Sequence, residues 1–217
     1  MNPDLLLVFV KEPSPGQVKT RLAQAIGAKA AAELYRLLTE EVLRRTAPAG
    51  SEYRRLLFFA PPQACPAMAS WLPGETLVGQ VEGDIGARMA AAFEEAFRRG
   101  AQRALLIGTD VPGLSRELLI EGFASLEDHD LVLGPAQDGG YYLVGLDRPQ
   151  PALFRSIAWS TPSVLATTVE RAGVLGLRVR LLDTLGDVDT VHDLRREWGR
   201  LAPLLAEREG LRRLGEC

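Results

Sequence analysis

The chain has 217 residues, of which 47% are hydrophobic and 24% charged, and its formal net charge is −3 at pH 7. This near-neutral balance excludes the strongly basic surface typical of nucleic-acid-binding proteins, and no apolar stretch is long enough to span a bilayer. The length suits one α/β domain with a substantial core.

The first apolar run, residues 5–10, lies between Asp4 and Lys11. It is too short, and too closely flanked by charges, for the apolar region of a signal peptide, so it predicts a buried strand. Cys65 and Cys217 stand alone, without metal-ligand spacing or a disulfide framework. We therefore expect a cytoplasmic protein.

Further apolar runs follow along the chain, and helical patterns separate most of them. The runs predict strands at residues 5–10, 55–60, 76–80, 104–108, 131–134, 141–145 and 177–182. The helical patterns cover residues 23–46, with Gly27 as a weak point, residues 85–98, and a helix capped by Ser115 that ends at Ser125. This alternation predicts an α/β fold, a mostly parallel mixed sheet with helices on both faces, as a single domain over residues 1–217.

Two more helix starts are predicted from capping residues. Thr161 followed by Pro162 is typical of an N-cap with proline at the first helical position. Thr190 with Asp193 three residues later is a close relative of the capping box and predicts the start of the last helix. Asp193 then has a structural role.

The loop after the first strand, residues 11–21, combines Lys11, Lys19 and Arg21 with Pro15 and Gly16. In open α/β sheets ligands bind beyond the carboxyl ends of the strands, and a loop leading into a helix offers N–H groups to an anion. We expect this loop to bind a polyvalent anion such as a nucleoside triphosphate or diphosphate, with Lys19 and Arg21 neutralising charge during catalysis. The alternative is a surface loop with solvated lysines.

The glycine spacing of the loop excludes two common phosphate motifs. A P-loop needs Gly-x-x-x-x-Gly-Lys-Ser/Thr, but Pro13 stands where the first glycine would fall. A dinucleotide fingerprint needs three spaced glycines, and this turn has only Gly16. A phosphate site here must use another geometry.

Asp110 follows the apolar run at residues 104–108 and should lie at the same sheet edge as the basic loop. A carboxylate beside polyphosphate commonly helps to hold Mg²⁺, which takes one or two protein carboxylates plus substrate oxygens. Asp189 is the predicted second ligand and Asp187 the runner-up, because both alternate around Val188 on one side of an extended segment. The predicted cofactor is therefore Mg²⁺ or Mn²⁺, whereas the alternative for Asp110 is a turn cap before Pro112.

Two glycine-containing loops are further candidate sites. Gln80 and Gly83 lie between a strand and a helix, and the Gln80 amide can donate and accept as recognition of a nucleotide base requires; the alternative is a loop capped by Asp84. The other loop lies between the runs at residues 131–134 and 141–145, and it is too short for a crossover helix, so we expect an antiparallel excursion. Its candidate acceptor-binding residues are Asp138, Gly139, Gly140 and Tyr141, although Asp-Gly is also a common hairpin turn.

Taken in chain order, these motifs resemble the glycosyltransferase-A-like family known as radical-SAM/selenodomain-associated transferase 1. Its members are related to the guanylyltransferase that activates 2-phospholactate and to other nucleotidyltransferases. The resemblance rests on residues 11–22, 83–89, 107–112, 134–146, 159–161 and 187–194. It implies a nucleotide-diphospho-sugar-transferase fold, a nucleotide over the first strand's loop and a divalent metal on Asp110. Val188-Asp189-Thr190 resembles the element that often precedes the last helix in these nucleotidyltransferases.

Three functions remain open at this stage. The first is nucleotidyl transfer from a nucleoside triphosphate to a small phosphorylated or hydroxylated acceptor, with release of pyrophosphate. The second is glycosyl transfer from a nucleotide-sugar, although such enzymes usually place an Asp-x-Asp pair at the metal and Asp110 precedes Val111-Pro112. The third is a non-catalytic nucleotide-binding protein. The basic loop and the lone Asp110 favour nucleotidyl transfer.

Overall fold

The seven apolar runs form seven strands of one mixed sheet in the computed structural model, which describes residues 4–206 and Leu211. The strands are β1 (Asp4–Lys11), β2 (Arg54–Ala60), β3 (Leu77–Gly79), β4 (Arg103–Ile107), β5 (Leu131–Pro135), β6 (Tyr141–Leu146) and β7 (Val179–Leu181). Their order across the sheet is β3-β2-β1-β4-β6-β5-β7, and β6 runs antiparallel to both of its neighbours. The predicted α/β fold with one antiparallel excursion is confirmed.

Helices and short turns of helix connect the strands. The α-helices are α1 (Thr20–Ile26), α2 (Ala28–Arg45), α3 (Cys65–Trp71), α4 (Ile85–Arg98), α5 (Arg116–Ser125), α6 (Val164–Val174), α7 (Val191–Arg196) and α8 (Trp198–Leu205). Two turns of 3₁₀-helix occupy Pro62–Ala64 and Pro151–Phe154. In the described ranges, none of these helices is both long and apolar enough to cross a membrane. A cytoplasmic location stays a prediction.

Strand β1 is apolar on both faces because the sheet is covered on both sides. Leu6 and Val8 belong to one core cluster, which includes residues of α3 and α5, whereas Leu5 and Leu7 belong to another, which includes Phe93 of α4. Successive side chains of a strand point to opposite faces, so a continuous apolar run is what a strand between two layers of helices requires.

Several predicted helix boundaries are confirmed and two are wrong. Helix α4 has the predicted bounds, Ser115 caps α5 through a hydrogen bond from the Leu118 N–H, and Thr190 opens α7 in a capping box. The predicted helix at residues 23–46 is instead two helices, because Gly27, at φ 84°, lies between α1 and α2.

The predicted start of a helix at Thr161–Pro162 is also wrong. The Thr161 hydroxyl donates to the carbonyl oxygen of Ala158, and α6 begins three residues later at Val164. Thr161 therefore closes the turn before the helix. The domain extent over residues 1–217 stays a prediction, since both termini, with Cys217, lie outside the described residues.

The parallel arrangement brings the ends of distant strands together. Strands β1, β2, β3, β4, β5 and β7 all run in the same direction. We call the sheet edge where these strands end the carboxyl rim, and the opposite edge the amino rim. The basic loop, Asp110, the β5–β6 turn and the segment after β7 all follow strands that end at the carboxyl rim. The site is assembled there.

Candidate nucleotide and metal site

Lys19 lies at the end of the basic loop (residues 11–21), immediately before α1. Its backbone is left-handed, with φ 48°, a conformation that costs free energy for any residue with a side chain. Its side chain is only 3% exposed, whereas the neighbouring Arg21 is exposed. The loop therefore turns one cation inward and leaves the other at the surface.

The Lys19 ammonium lies between two carboxylates. Its Nζ is 2.5 Å from Oδ1 of Asp110 and 2.7 Å from Oδ1 of Asp189, and these two aspartate side chains are 43% and 42% exposed. Burial alone lowers the pKa of Lys19, but the attraction of Asp110 and Asp189 outweighs it, so the pKa is raised above its ordinary value. Lys19 is therefore a charged and nearly buried cation beneath two partly exposed acids.

The backbone that carries Asp110 is tied directly to the segment that carries Asp189. Asp110 follows β4, and its carbonyl oxygen accepts a 3.0 Å hydrogen bond from the N–H of Val188. The Val188 side chain is fully buried. These contacts explain why two aspartates far apart in the sequence share one cation.

The capping box of α7 also holds the Asp189 segment. The N–H groups of Asp189 and Thr190 donate to Oδ2 of Asp193 at 3.2 and 2.8 Å, while the Thr190 hydroxyl oxygen accepts from the Asp193 N–H at 3.3 Å. As the sequence predicts, Asp193 is occupied in capping, whereas the Asp189 carboxylate lines the cleft and pairs with Lys19.

Tyr35 of α2 is a site residue that the sequence analysis missed. Its hydroxyl oxygen accepts a 2.8 Å hydrogen bond from the Lys11 N–H and one of 3.3 Å from the hydroxyl of Thr109, the residue before Asp110. Burial, with the nearby charge of Asp110, raises the pKa of Tyr35. Tyr35 thus joins the ends of β1 and β4, and nothing in its helical pattern distinguishes it from a core residue.

A cleft of about 700 Å³ opens above this cluster. Asp110, Asp189, Asp187 and Asp138 line it together with the basic loop. Burial raises the pKa of Asp187 to about 6, and the negative charges of Asp138 and Asp189 add to the effect. The cleft thus combines an acidic wall with a basic one, as a site for a metal-bound phosphate would require.

A second pocket, of about 370 Å³, continues from the basic loop toward the ends of β2 and β3. Lys11, Gln80 and Arg88 line both this pocket and the cleft. The Gln80 amide nitrogen donates to the Phe58 carbonyl oxygen at 2.8 Å, which leaves its oxygen to face Arg88, 3.5 Å away. The predicted contact of Gln80 with a base stays a prediction.

Arg88 was likewise missed as a candidate, although it lies within a motif noted in the sequence. It projects from the first turn of α4, where its Nε donates to the carbonyl oxygen of Gly83 at 3.0 Å. Gly83 has φ 124°, and Asp84 is the N-cap, as the structural alternative predicted. Gly83 therefore positions a cation between the two cavities through its backbone.

The β5–β6 turn forms the far side of the cleft. The exposed Asp138 accepts the Gly140 N–H at 2.8 Å, and Gly139 has φ 89°. A Cβ atom on Gly139 would lie 2.2 Å from the Pro162 carbonyl oxygen, so only glycine fits. The Tyr141 ring lines the cleft, its hydroxyl is buried, and burial raises its pKa. The turn is confirmed, whereas acceptor binding by these residues stays a prediction.

The donor set fits a divalent metal that is shared with a substrate. A positively charged nitrogen already lies within 2.7 Å of one oxygen from each of two carboxylates. Among residues 4–206, no group of three or more His, Cys, Asp or Glu side chains is arranged to hold a metal ion. Two carboxylates suit Mg²⁺, because it completes its shell with water and substrate phosphates.

The remaining predicted site residues lie in the basic loop and in the first turn of α1. Pro15, Gly16 and Arg21 are exposed, and Gly16 has φ 81°. Helix α1, which follows, has seven residues. Because this helix is short, the charged side chains of Lys19 and Arg21 contribute more to the positive potential here than the N–H groups at the start of α1 do.

Solved structures of other proteins match nearly the whole chain. A protein from Desulfovibrio desulfuricans G20, whose proposed assignment is a nucleotide-diphospho-sugar transferase, is 33% identical, with a TM-score of 0.88 over 99% of both chains. The inositol-1-phosphate CTP transferase of T. maritima is 14% identical, with a TM-score of 0.55 over 94% of this chain and 96% of its own. Rv0371c of Mycobacterium tuberculosis H37Rv, in complex with manganese, is 19% identical, with a TM-score of 0.51 over 89% and 96%.

The last two likenesses, at low identity, concern the fold alone. No curated protein matches the chain. A family model described as an uncharacterized protein conserved in bacteria (DUF2064) matches residues 43–161, and the close structural match confirms the predicted nucleotide-diphospho-sugar-transferase fold. The chain therefore belongs to the bacterial family DUF2064.

Proposed function

We propose that this protein is a nucleotide-using transferase that moves a nucleotidyl group from a nucleoside triphosphate to a small phosphorylated or hydroxylated acceptor. The observation that carries the proposal is the pair of carboxylates, Asp110 and Asp189, which are held around one cation and line a cleft together with the basic loop. The resemblance to the radical-SAM/selenodomain-associated transferases and their guanylyltransferase relatives agrees with it. So do the nucleotide-related names of structures with the same fold.

The reaction forms one phosphorus–oxygen bond and breaks another. An acceptor oxygen attacks the α-phosphorus, and the bond from that phosphorus to the bridging oxygen breaks, so pyrophosphate leaves with the bonding electrons. A phosphate acceptor is already ionised at neutral pH, so its attack needs no general base, whereas a hydroxyl acceptor would give its proton to water or to a carboxylate of the cleft such as Asp138. Catalysis then depends on positioning and on stabilisation of charge.

Each part of the site has a role in this reaction. Asp110 and Asp189 would hold Mg²⁺ or Mn²⁺, which when bound polarises a phosphoryl oxygen. Lys19 and Arg21 would neutralise phosphate charge. Lys11, Gln80 and Arg88, the last added by the structure, line both cavities and would contact the nucleotide, whereas Pro15, Gly16 and Gly83 would shape the loops that carry these residues. The Asp138–Tyr141 turn lines the cleft and would contact the acceptor there.

Glycosyl transfer from a nucleotide-sugar is the second candidate. It is favoured by the proposed assignment of the matching D. desulfuricans protein and by the exposed Asp138 carboxylate, which lines the cleft and would be the available base. Both candidates need a nucleotide and the same pair of aspartates. They differ in which bond of the donor is broken and therefore in the leaving group.

The first test is a thermal-shift panel of the four nucleoside triphosphates and common nucleotide-sugars, each with Mg²⁺, Mn²⁺ or EDTA. A ligand at about 100 times its Kd adds about 2.7 kcal/mol of stability, which shifts Tm by about 5–11 °C for a chain of this length. We expect metal-dependent stabilisation by one triphosphate. Stabilisation by a nucleotide-sugar and by none of the triphosphates would favour glycosyl transfer instead.

Turnover separates an enzyme from a non-catalytic binder. With the stabilising triphosphate and a panel of small phosphorylated acceptors, we expect pyrophosphate release, which Asp110→Asn reduces by about 10²–10³-fold without loss of folding. Asp128→Asn, at an exposed aspartate outside the cleft, is the matched control. Nucleotide binding without turnover for any donor would support the non-catalytic alternative.

A further inference from the structure

The Lys19 ammonium occupies the position between Asp110 and Asp189 that a divalent cation would need. It is within 2.5–2.7 Å of one oxygen from each carboxylate, and its side chain is nearly buried. Oδ1 of Asp110 is itself buried, with the ammonium as its charged neighbour. The Lys19 ammonium and a divalent cation cannot occupy this position at the same time.

We propose that Lys19 is a resident counter-ion that keeps the Asp110–Asp189 pair closed to divalent metal until the phosphates of a nucleotide draw the ammonium away. The proposal rests on the nucleotide-dependent function proposed above. Metal and nucleotide then load together, and the same lysine stabilises the acids before loading and the phosphates after it.

The charge balance of the cluster supports this exchange. Two carboxylates and one ammonium leave one negative charge, whereas two carboxylates and a divalent metal leave none. Metal binding alone, however, would leave a buried ammonium without its partners, and an unpaired buried charge is strongly unfavourable. A triphosphate removes this penalty because it gives the ammonium new acceptors and gives the metal the further oxygen ligands that it needs.

The residue type and the local backbone also favour a movable cation. Lysine carries a compact charge on a flexible four-carbon stem, whereas arginine has a planar fork that fixes a bidentate geometry. Lys19 is held in a left-handed backbone conformation, at φ 48°, that is unfavourable for its type. Lys19 itself and the exposed Gln17 of the same loop line the cleft, so the lysine side chain has an outward path toward the proposed phosphate position.

The test measures Mn²⁺ binding without nucleotide, by electron paramagnetic resonance of free Mn²⁺. The wild type is compared with Lys19→Met and with Lys29→Met, which removes the same charge from an exposed position on α2. We expect Lys19→Met to bind Mn²⁺ at least about tenfold more tightly than the wild type, since the competing ammonium is gone. Lys29→Met should match the wild type, and equal affinity of all three proteins would overturn the proposal.

A second measurement uses the wild type alone, in case Lys19→Met does not fold. An amine-acylating reagent followed by peptide mass spectrometry reports how fast each lysine reacts, with Lys29 as the internal reference. We expect Lys19 to react much more slowly than Lys29 both in metal-free protein and with Mn²⁺ alone, and its rate to change only when Mn²⁺ and the stabilising triphosphate are added together. A change of the Lys19 rate with Mn²⁺ alone, or no change with both ligands, would contradict the exchange.

These outcomes are separable from failure of the proposed function. If Lys19→Met binds Mn²⁺ more tightly than the wild type but no nucleotide stabilises the protein, the counter-ion role holds and the proposed nucleotide is wrong. If a triphosphate is turned over but Lys19→Met binds Mn²⁺ no better than the wild type, the function holds and the counter-ion role is wrong.

Discussion

Strands β1 and β4 have a group of one cation and two acids at each end, and the two groups are built in opposite ways. At the amino rim, Arg103 donates to both carboxylate oxygens of Asp4, at 2.9 and 2.8 Å, and to Glu127 at 2.9 Å. At the carboxyl rim, Lys19 lies between Asp110 and Asp189. The same pair of strands therefore allows a direct comparison.

Burial is reversed between the two groups. At the amino rim the Asp4 carboxylate is 6% exposed and the arginine is 25% exposed, whereas at the carboxyl rim the lysine is 3% exposed and both acids are more than 40% exposed. A bidentate arginine fixes its partner in one geometry. A lysine under two solvent-facing acids leaves oxygen atoms available for a ligand.

This difference indicates which group stabilises the fold and which serves the site. The Arg103 group ties the starts of two neighbouring strands, and it faces neither cavity. The Lys19 group faces the cleft and requires an unfavourable backbone angle, and such strain is commonly found at functional sites. Ion pairs of similar length can therefore have different roles.

The largest effect on stability is expected at the amino rim. Arg103→Met removes the guanidinium from the buried Asp4 carboxylate, and we expect the free energy of unfolding to fall by about 3 kcal/mol. Urea denaturation measures it, and Arg54→Met, at an exposed arginine at the start of β2, serves as the control and should stay within about 0.5 kcal/mol. Mn²⁺ affinity should be unchanged. A loss no larger than that of the control would remove the contrast between the two rims.

The sequence predicts the fold well because the strand signals are local. Each of the seven apolar runs became a strand, and the short link between residues 134 and 141 required the antiparallel turn. Boundaries failed where one residue decides between two local structures. Gly27 ended a helix that its flanking residues would continue, and Thr161 closed a turn where its type suggested a cap.

The sequence predicted where the site lies better than it predicted which of its residues contact each other. The strand pattern gave Asp110 and the basic loop a common rim, and assignment of Asp193 to the capping box pointed to Asp189. The inward turn of Lys19 could not be predicted, because a left-handed angle at lysine has no signal in residue type and its partner Asp189 lies 170 residues away. Tyr35 and Arg88 were missed because their helical patterns suit core and surface positions equally well.

A second ion pair at the amino rim, between Asp130 and Arg178, should contribute less stability as the pH falls. Stability that depends on a buried lysine ammonium is instead lost as the pH rises. Hydrogen bonds from the side chain and backbone of Arg178, with Arg148, hold the pKa of Asp130 well below its ordinary value. A depressed pKa in the folded state contributes stability above the unfolded-state pKa of about 3.9, and this stability is lost as pH falls below that value. Asp130→Asn should therefore destabilise the protein by about 1.5 kcal/mol at pH 7, and the difference from wild type should shrink toward pH 2.

Denaturant titrations across this pH range measure the difference. Asp128→Asn, at the neighbouring exposed aspartate, should follow the wild type throughout. A constant difference between Asp130→Asn and wild type would mean that lost packing, and not lost charge, accounts for the effect.

The smallest expected effect on stability tests which contacts hold Asp189 in place at the carboxyl rim. Asp189 depends on the Thr190 capping box as well as on the Val188 hydrogen bond to Asp110. Thr190→Ala removes the cap of α7 and should cost about 1 kcal/mol of stability, while Thr190→Ser keeps the hydroxyl and should cost much less. If the cap also positions Asp189, Thr190→Ala should weaken Mn²⁺ binding in the Lys19→Met background, and Thr190→Ser should not. Lost stability with unchanged Mn²⁺ affinity would mean that the buried Val188, and not the cap, positions Asp189. Core packing would then hold the Lys19 group in place as firmly as the bidentate guanidinium of Arg103 holds Asp4.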